Sequence, residues 1–202
     1  MSSDGEAAPA VVGVADHSGW ANLVTVSLGA DGTPTLVDRR RCQLVPDTIP
    51  RQPYHAAAGL PAEEAESLVA EVTAAAGAGA TAALTTLVAA LAPTHQLAAM
   101  TIRTTGGRPT PDTVAEVLQS HSAMHAAEGE LYREAWANAA HQAGIAVHHY
   151  RRPPKGAAKP DPEADAWVKA AGHKAGPPWQ ADHREAAKAA LRALDDLAAD
   201  GK

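Results

Sequence analysis

The chain has almost no aromatic bulk and almost no cysteine. Its 202 residues include no Phe, and aromatics make up 3%. A core of stacked rings is therefore excluded. Hydrophobic residues reach 46%, and Ala alone is about a quarter of the chain. Backbones must then approach closely to bury a sizeable core built from Ala, Val and Leu. The single Cys42 excludes an intramolecular disulfide and a cysteine-rich zinc module. Positive charge is also scarce: 17 Lys and Arg stand against 23 Asp and Glu, for a net charge of -6. That excludes coating nucleic acid by bulk charge, but not a local site that meets phosphate through metal ions. The first nine residues lack the basic start and apolar run of a signal peptide. The longest apolar stretch, from Ala74 to Ala92, is interrupted by Gly77, Gly79 and several Thr, and suits an Ala-rich helix pair better than a membrane span. A cytoplasmic protein with no membrane partner is expected.

What the chain does have is histidine, ten in all. The length suits one domain with a tail. Residues 1–9 are small and polar and are expected to be a disordered tail. Ala10 to Ala15 is an apolar run of strand type, ended by Asp16 and a turn at Asp16-His17-Ser18-Gly19. Trp20 to Leu28 is a second strand, and Asp31-Gly32 signals a hairpin into a third, Thr33 to Val45. Pro46 to Pro61 is a Pro-rich loop carrying Tyr54 and His55. A helix follows to about Ala76, and the Gly77 to Gly79 break predicts a second piece over Thr81 to Leu91. Gln96 to Arg103 is a fourth strand. Thr110-Pro111-Asp112 starts a helix that can run to Ala143, where Gly144 stops it. Ile145 to Tyr150 is a fifth strand. Residues 10–150 thus form the core, 151–163 a Pro/Lys/Gly-rich linker, and 164–202 C-terminal helices that complete the fold.

One helix face stands out. Its inward stripe runs through Val114, Leu118, His121, His125, Glu128, Tyr132, Ala135 and Ala139. The ends are apolar and the middle four are polar, so His121, His125, Glu128 and Tyr132 are expected to face the protein. Buried polar groups must be paired or hydrated. Three readings stay open: a structural hydrogen-bond network, a catalytic or ligand-binding cleft, and a metal site. His121 and His125 at i, i+4 can share one ion. Glu128 lies roughly 10 Å along the axis from His121 at 1.5 Å per residue, too far for one ion to take all three from a straight helix. A polar stripe also suits a seam in a homo-oligomer. Arg39-Arg40-Arg41 suits an edge strand, and together with Arg151, Arg152 and Lys155 it offers a phosphate-facing patch.

Three strands in a meander, then alternating helices and strands, give an α/β chain with a mixed sheet and helices on both faces. This order resembles the ribonuclease H-like superfamily, which includes RuvC-type resolvases, across residues 10–198. The motifs Ser120-His121-Ser122-Ala123-Met124-His125-Ala126-Ala127-Glu128-Gly129-Glu130 and Gly176-Pro177-Pro178-Trp179-Gln180-Ala181-Asp182 also resemble an uncharacterised bacterial family, which implies no activity. The first resemblance implies a metal-dependent phosphodiester hydrolase with Mg2+ or Mn2+ as cofactor and nucleic acid as partner. It places a first metal-binding acid at Asp16, and an acid pair on the last helix at Asp182 and Glu185. It also implies an acid at the fourth strand or on the first helix; Leu97 to Thr104 has none, and the acids that open the first helix suit its dipole. Glu128 is the substitute. The resulting candidate set is Asp16, Glu128 and Asp182 for metal, with His121, His125 or His55 as acid, base or substrate contact. The bland readings are a turn cap for Asp16 and a helix cap for Asp182 and Glu185. The missing acid leaves a second function open, a non-catalytic binding or assembly module on the same scaffold.

Overall fold

The computed structural model describes residues 7–104, 109–152 and 161–200. The expected tail and linker therefore lie partly outside the described residues, as does Lys155. Five strands form one sheet: β1 (Ala8–His17), β2 (Trp20–Leu28), β3 (Pro34–Gln43), β4 (His95–Thr104) and β5 (Ala146–Arg151), in the spatial order β3-β2-β1-β4-β5. The first three are antiparallel, while β4 runs parallel to β1 and β5 parallel to β4. The strand begins at Ala8, so Ala8 and Pro9 belong to the sheet and not to a tail.

Alternation along β1 divides the core into two halves. Val12 and Val14 point to one face, with Leu23 of β2, and meet α2 (Ala62–Leu91) and α4 (His121–Gln142). Val11 and Ala15 point to the other, with Val24 and Val26, and meet α5 (Pro162–Ala175) and α6 (Ala181–Asp200). The result is a three-layer α/β/α sandwich. The scarcity of large side chains is met as its composition requires. A Cβ added at Gly13 would lie 1.9 Å from the carbonyl oxygen of Ala186, so the backbone of α6 rests directly on β1.

Three helix expectations change. The glycines at 77 and 79 do not break α2, which runs unbroken for 30 residues. Two glycines cost a helix only about 1 kcal/mol each, and Gly79 lets α2 pack closely on the segment after β3: an added Cβ would stand 2.1 Å from the carbonyl oxygen of Leu44. By length and composition α2 could cross a membrane. In the fold it lays Val72, Ala76, Ala80, Leu84 and Leu87 on the core. The Pro-rich loop contains a short helix, α1 (Pro53–Ala57), with Pro53 at its start. The long helix begun at Thr110 is in fact two. Thr113 caps α3 (Val114–Val117) in a reciprocal capping box with Glu116, and Ser120 caps α4. The first turns of α4 pack Met124 and Ala127 against Val117 of α3, and the buried positions continue through Glu128, Leu131, Tyr132, Ala135, Trp136 and Ala139. His121 and His125 are exposed, contrary to the expectation that they face inward, while Glu128 and Tyr132 are buried.

The proposed basic patch does not form either. Arg39 to Arg41 lie on β3 and Arg151 ends β5, at opposite edges of the sheet. Arg39 donates to the carbonyls of Gly176 and Pro178, Arg40 pairs with Asp38, and Arg41 lies 3.9 Å from the centre of the Trp20 ring.

Candidate functional site

β1 and β4 are parallel neighbours, so their carboxyl ends reach one rim of the sheet, where open α/β folds place ligands. Asp16 sits at that end of β1 and faces α4. It is 8% exposed. Its Oδ2 accepts from Nη1 of Arg133 on α4 at 3.2 Å and lies 3.5 Å from Nη2 of Arg103 on β4. Its Oδ1 is buried without a hydrogen-bond partner. Arg103 lies near the end of β4, a strand without an acid. Arg133 reaches Asp16 across Gly129, where an added Cβ would meet its guanidinium at 2.8 Å.

Glu128 is 2% exposed on the same side of the sheet. Its Oε1 accepts from the backbone N–H of His55 at 3.2 Å and from Nδ1 of that ring at 2.8 Å. Its Oε2 is buried and unpartnered. One turn on, Tyr132 donates to the carbonyl of Arg51 at 2.7 Å, tying the segment that leads into α1 to α4. Burial, followed by the nearby charge of Glu128, pushes the Tyr132 hydroxyl up to about 12, so it stays a donor at neutral pH.

Asp16, His17, Ser18, Arg103, His125, Glu128, Gly129, Tyr132 and Arg133 line one cavity of about 290 Å³. The structure thus brings Asp16, Glu128 and His125 to one hollow. His121 adjoins it through His125, their Nε2 atoms 3.1 Å apart. His55 packs on both rings, with centroids 5.1 Å from His121 and 4.5 Å from His125.

Asp182 is not on the cavity wall. Alternation turns His17 to the opposite face from Asp16, and Nε2 of His17 meets Oδ2 of Asp182 at 2.9 Å in the first turn of α6. His17 itself stacks flat on Trp20 at 3.9 Å. Glu185 is engaged elsewhere: Tyr150 donates to it at 3.3 Å and Arg152 pairs with it. Burial, with Glu185 close by, pushes the Tyr150 hydroxyl well above its ordinary range. A larger hollow of about 620 Å³ opens between α5 and α6 beside Trp179 and Glu185. It contains none of Asp16, Glu128 or the three histidines, so the smaller cavity is where the reactive groups converge.

Arg103, Arg133 and His17 did not stand out from the sequence. The available signal was topological: parallel strands deliver their last residues to one rim, which puts Arg103 beside Asp16.

No protein-family model matches the chain, and no curated protein does. Among the solved structures similar to it are two that align over nearly the whole of both chains. A structure of Thermus thermophilus RuvC aligns at 14% identity with a TM-score of 0.53, covering 94% of this chain and 96% of that one. T. thermophilus RuvC in complex with a Holliday junction substrate aligns at 15% identity with a TM-score of 0.54, over 94% and 96%. At such identity the likeness concerns the fold. Three antiparallel strands, two parallel ones and helices on both faces give this chain a mixed α/β fold of ribonuclease H-like topology, similar to that of RuvC.

Proposed function

We propose that the chain is a divalent-metal-dependent phosphodiester hydrolase of ribonuclease H-like type that acts on nucleic acid in the cytoplasm. One observation carries this reading. Two buried carboxylates from distant parts of the chain, Asp16 and Glu128, line one cavity, and each keeps one buried oxygen without a partner. Oxygen donors of this kind suit a hard cation such as Mg2+ or Mn2+. Such an ion, when bound, stabilises charge on phosphoryl oxygens and favours attack by water.

The remaining roles belong to the chain itself. Asp16 and Glu128 are the metal-holding acids, and Asp182 is an outer member that holds His17 at the rim. The positive charges of Arg103 and Arg133 attract a phosphodiester and offset its repulsion from the acids. His125, on the wall, is the group that contacts substrate from the α4 side. His121 is its neighbour in that role. Nucleic acid is the proposed partner, supported by the junction bound to the structural neighbour, and a second copy of the chain is the proposed means of holding a two-fold substrate.

A second reading has its own support. Both arginines reach the same oxygen of Asp16, so that acid is already paired before any ion arrives. This favours a non-catalytic ribonuclease H-like binding or assembly module. Cleavage assays on labelled single-stranded, duplex and junction substrates with Mg2+ or Mn2+ separate the two. Cleavage that falls at least about 100-fold in Asp16→Asn and Glu128→Gln, with the fold retained, supports the hydrolase. No cleavage and no uptake of either ion by calorimetry sinks it, and retained nucleic-acid binding would then favour the module.

A further inference from the structure

We infer that His55, His121 and His125 form a binding site for a zinc-class transition-metal ion, oriented by Glu128. The acid cavity calls for a hard cation on oxygen. This site is a separate one, built from nitrogen alone.

The three rings come from two elements. His121 and His125 occupy the first two turns of α4, one turn apart on one face, and His55 comes from α1. One ligand nitrogen from each ring lies within 4.8 Å of one from each of the other two. In a tetrahedral zinc site with Zn–N near 2.05 Å, adjacent ligand atoms stand about 3.3 Å apart. Nε2 of His121 and Nε2 of His125 stand 3.1 Å apart, so one ion fits across them with little change of rotamer.

Glu128 determines what His55 can offer. A carboxylate only accepts hydrogen bonds, so the 2.8 Å contact makes Nδ1 of His55 a donor. The lone pair is then on Nε2. That atom is buried and has no hydrogen-bond partner. An unsatisfied ring nitrogen is costly unless something binds it, and here it lies among two other imidazoles. A carboxylate behind a histidine, with the far nitrogen free, is the usual outer-shell arrangement of a metal-binding histidine. This also settles the spacing problem of the helix. Glu128 is too far along α4 to share an ion with His121, and it acts instead as a positioning residue for a histidine from another element.

The donor set selects the ion. Three neutral imidazoles favour Zn2+, Co2+, Ni2+ or Cu2+ and disfavour Mg2+ and Ca2+. They leave the charge of the ion uncompensated and one tetrahedral position open, which is the pattern of catalytic rather than structural zinc. His121 and His125 are exposed, so an ion can enter from solvent. His125 also lines the acid cavity, so the open position adjoins it.

The test uses the full chain with no affinity tag. Zn2+ is titrated by calorimetry, and Co2+ by its visible absorption, which intensifies in a tetrahedral site. The expected result is one equivalent of either ion and a tetrahedral Co2+ spectrum. Affinity should fall at least about 100-fold in His121→Ala and His125→Ala, both exposed positions that leave the core untouched. Glu128→Gln should weaken binding by about 10- to 100-fold while the spectrum keeps its form. His148→Ala and Asp16→Asn should bind as the unaltered chain does. Uptake well below one equivalent, or unchanged binding in His121→Ala and His125→Ala, overturns the inference and leaves a hydrogen-bonded trio. Cleavage is not a readout here, so a chain that binds zinc but cuts no nucleic acid refutes the hydrolase and leaves this site standing.

Discussion

Arg133 reaches from the middle of α4 to Oδ2 of Asp16 at 3.2 Å, across 117 residues of sequence. Arg103 approaches the same oxygen from β4. The three charges are largely removed from water, with side-chain exposures of 12% for Arg133, 27% for Arg103 and 4% for Asp16.

Removing the shared acid should therefore cost more than removing either base. Asp16→Ala leaves two guanidiniums facing each other and is expected to lower unfolding stability by about 3–5 kcal/mol. Arg103→Ala leaves Asp16 still paired with Arg133 and should cost clearly less. Urea denaturation of the two variants compares them, and equal losses would mean that the three charges do not act as one group.

Two glycines should respond in opposite ways to a methyl group. At Gly13 the obstacle is backbone, the carbonyl of Ala186, which cannot step aside without moving α6. Gly13→Ala is expected to prevent folding or to cost more than about 3 kcal/mol. At Gly129 the obstacle is the end of a flexible side chain, and helix propensity gains about 1 kcal/mol from the change. Gly129→Ala should keep its melting temperature but push Arg133 off Asp16. If Arg133 contacts phosphate, nucleic-acid binding then weakens and the slope of log K against log salt falls by about 1.

His183 predicts a loss of stability in acid. It is 5% exposed, and its Nδ1 accepts from the N–H of Gln180 at 3.2 Å. Burial first, then the charge of Arg39, holds its pKa below the ordinary 6.5. The unfolded chain therefore binds a proton that the folded chain refuses. Its contribution to stability is present above 6.5 and is lost as pH falls through the lower folded value. Urea midpoints at neutral pH and well below 6.5 should differ less in His183→Gln than in the unaltered chain.

The cap of α3 should matter out of proportion to its length. Thr113 and Glu116 exchange hydrogen bonds in a capping box. Thr113→Ala is expected to cost about 1 kcal/mol, seen as a lowered melting temperature, with the α4 core untouched.

Much of this architecture was legible in the sequence. The second strand runs from Trp20 to Leu28 in both, because an apolar run bounded by turns leaves few alternatives. The acid at the end of the first strand and the polar face around Glu128 also meet as the pattern implies. The exposure of His121 and His125 at the start of α4 was not legible. It depends on a short capped turn at Thr113 and a second cap at Ser120, local choices that a regular stripe of spacings passes over. His55 was legible as a loop residue and candidate acid, base or substrate contact, but not as the partner of Glu128, which is 73 residues away. Arg103 read as the lack of an acid, when its position beside Asp16 was the informative fact.

The contact of Gly13 with Ala186 has a consequence for how the chain reaches its native state. The first strand is synthesised early and the helix that covers its underside almost last. Val11 and Ala15 have their apolar partners on α5 and α6, so that face of the sheet stays uncovered until the C-terminal segment leaves the ribosome. Such long-range closure slows folding and prolongs the exposure of an aggregation-prone surface. A nascent chain stalled before residue 162 is expected to hold the α2 and α4 layer alone and to need a chaperone on the other side.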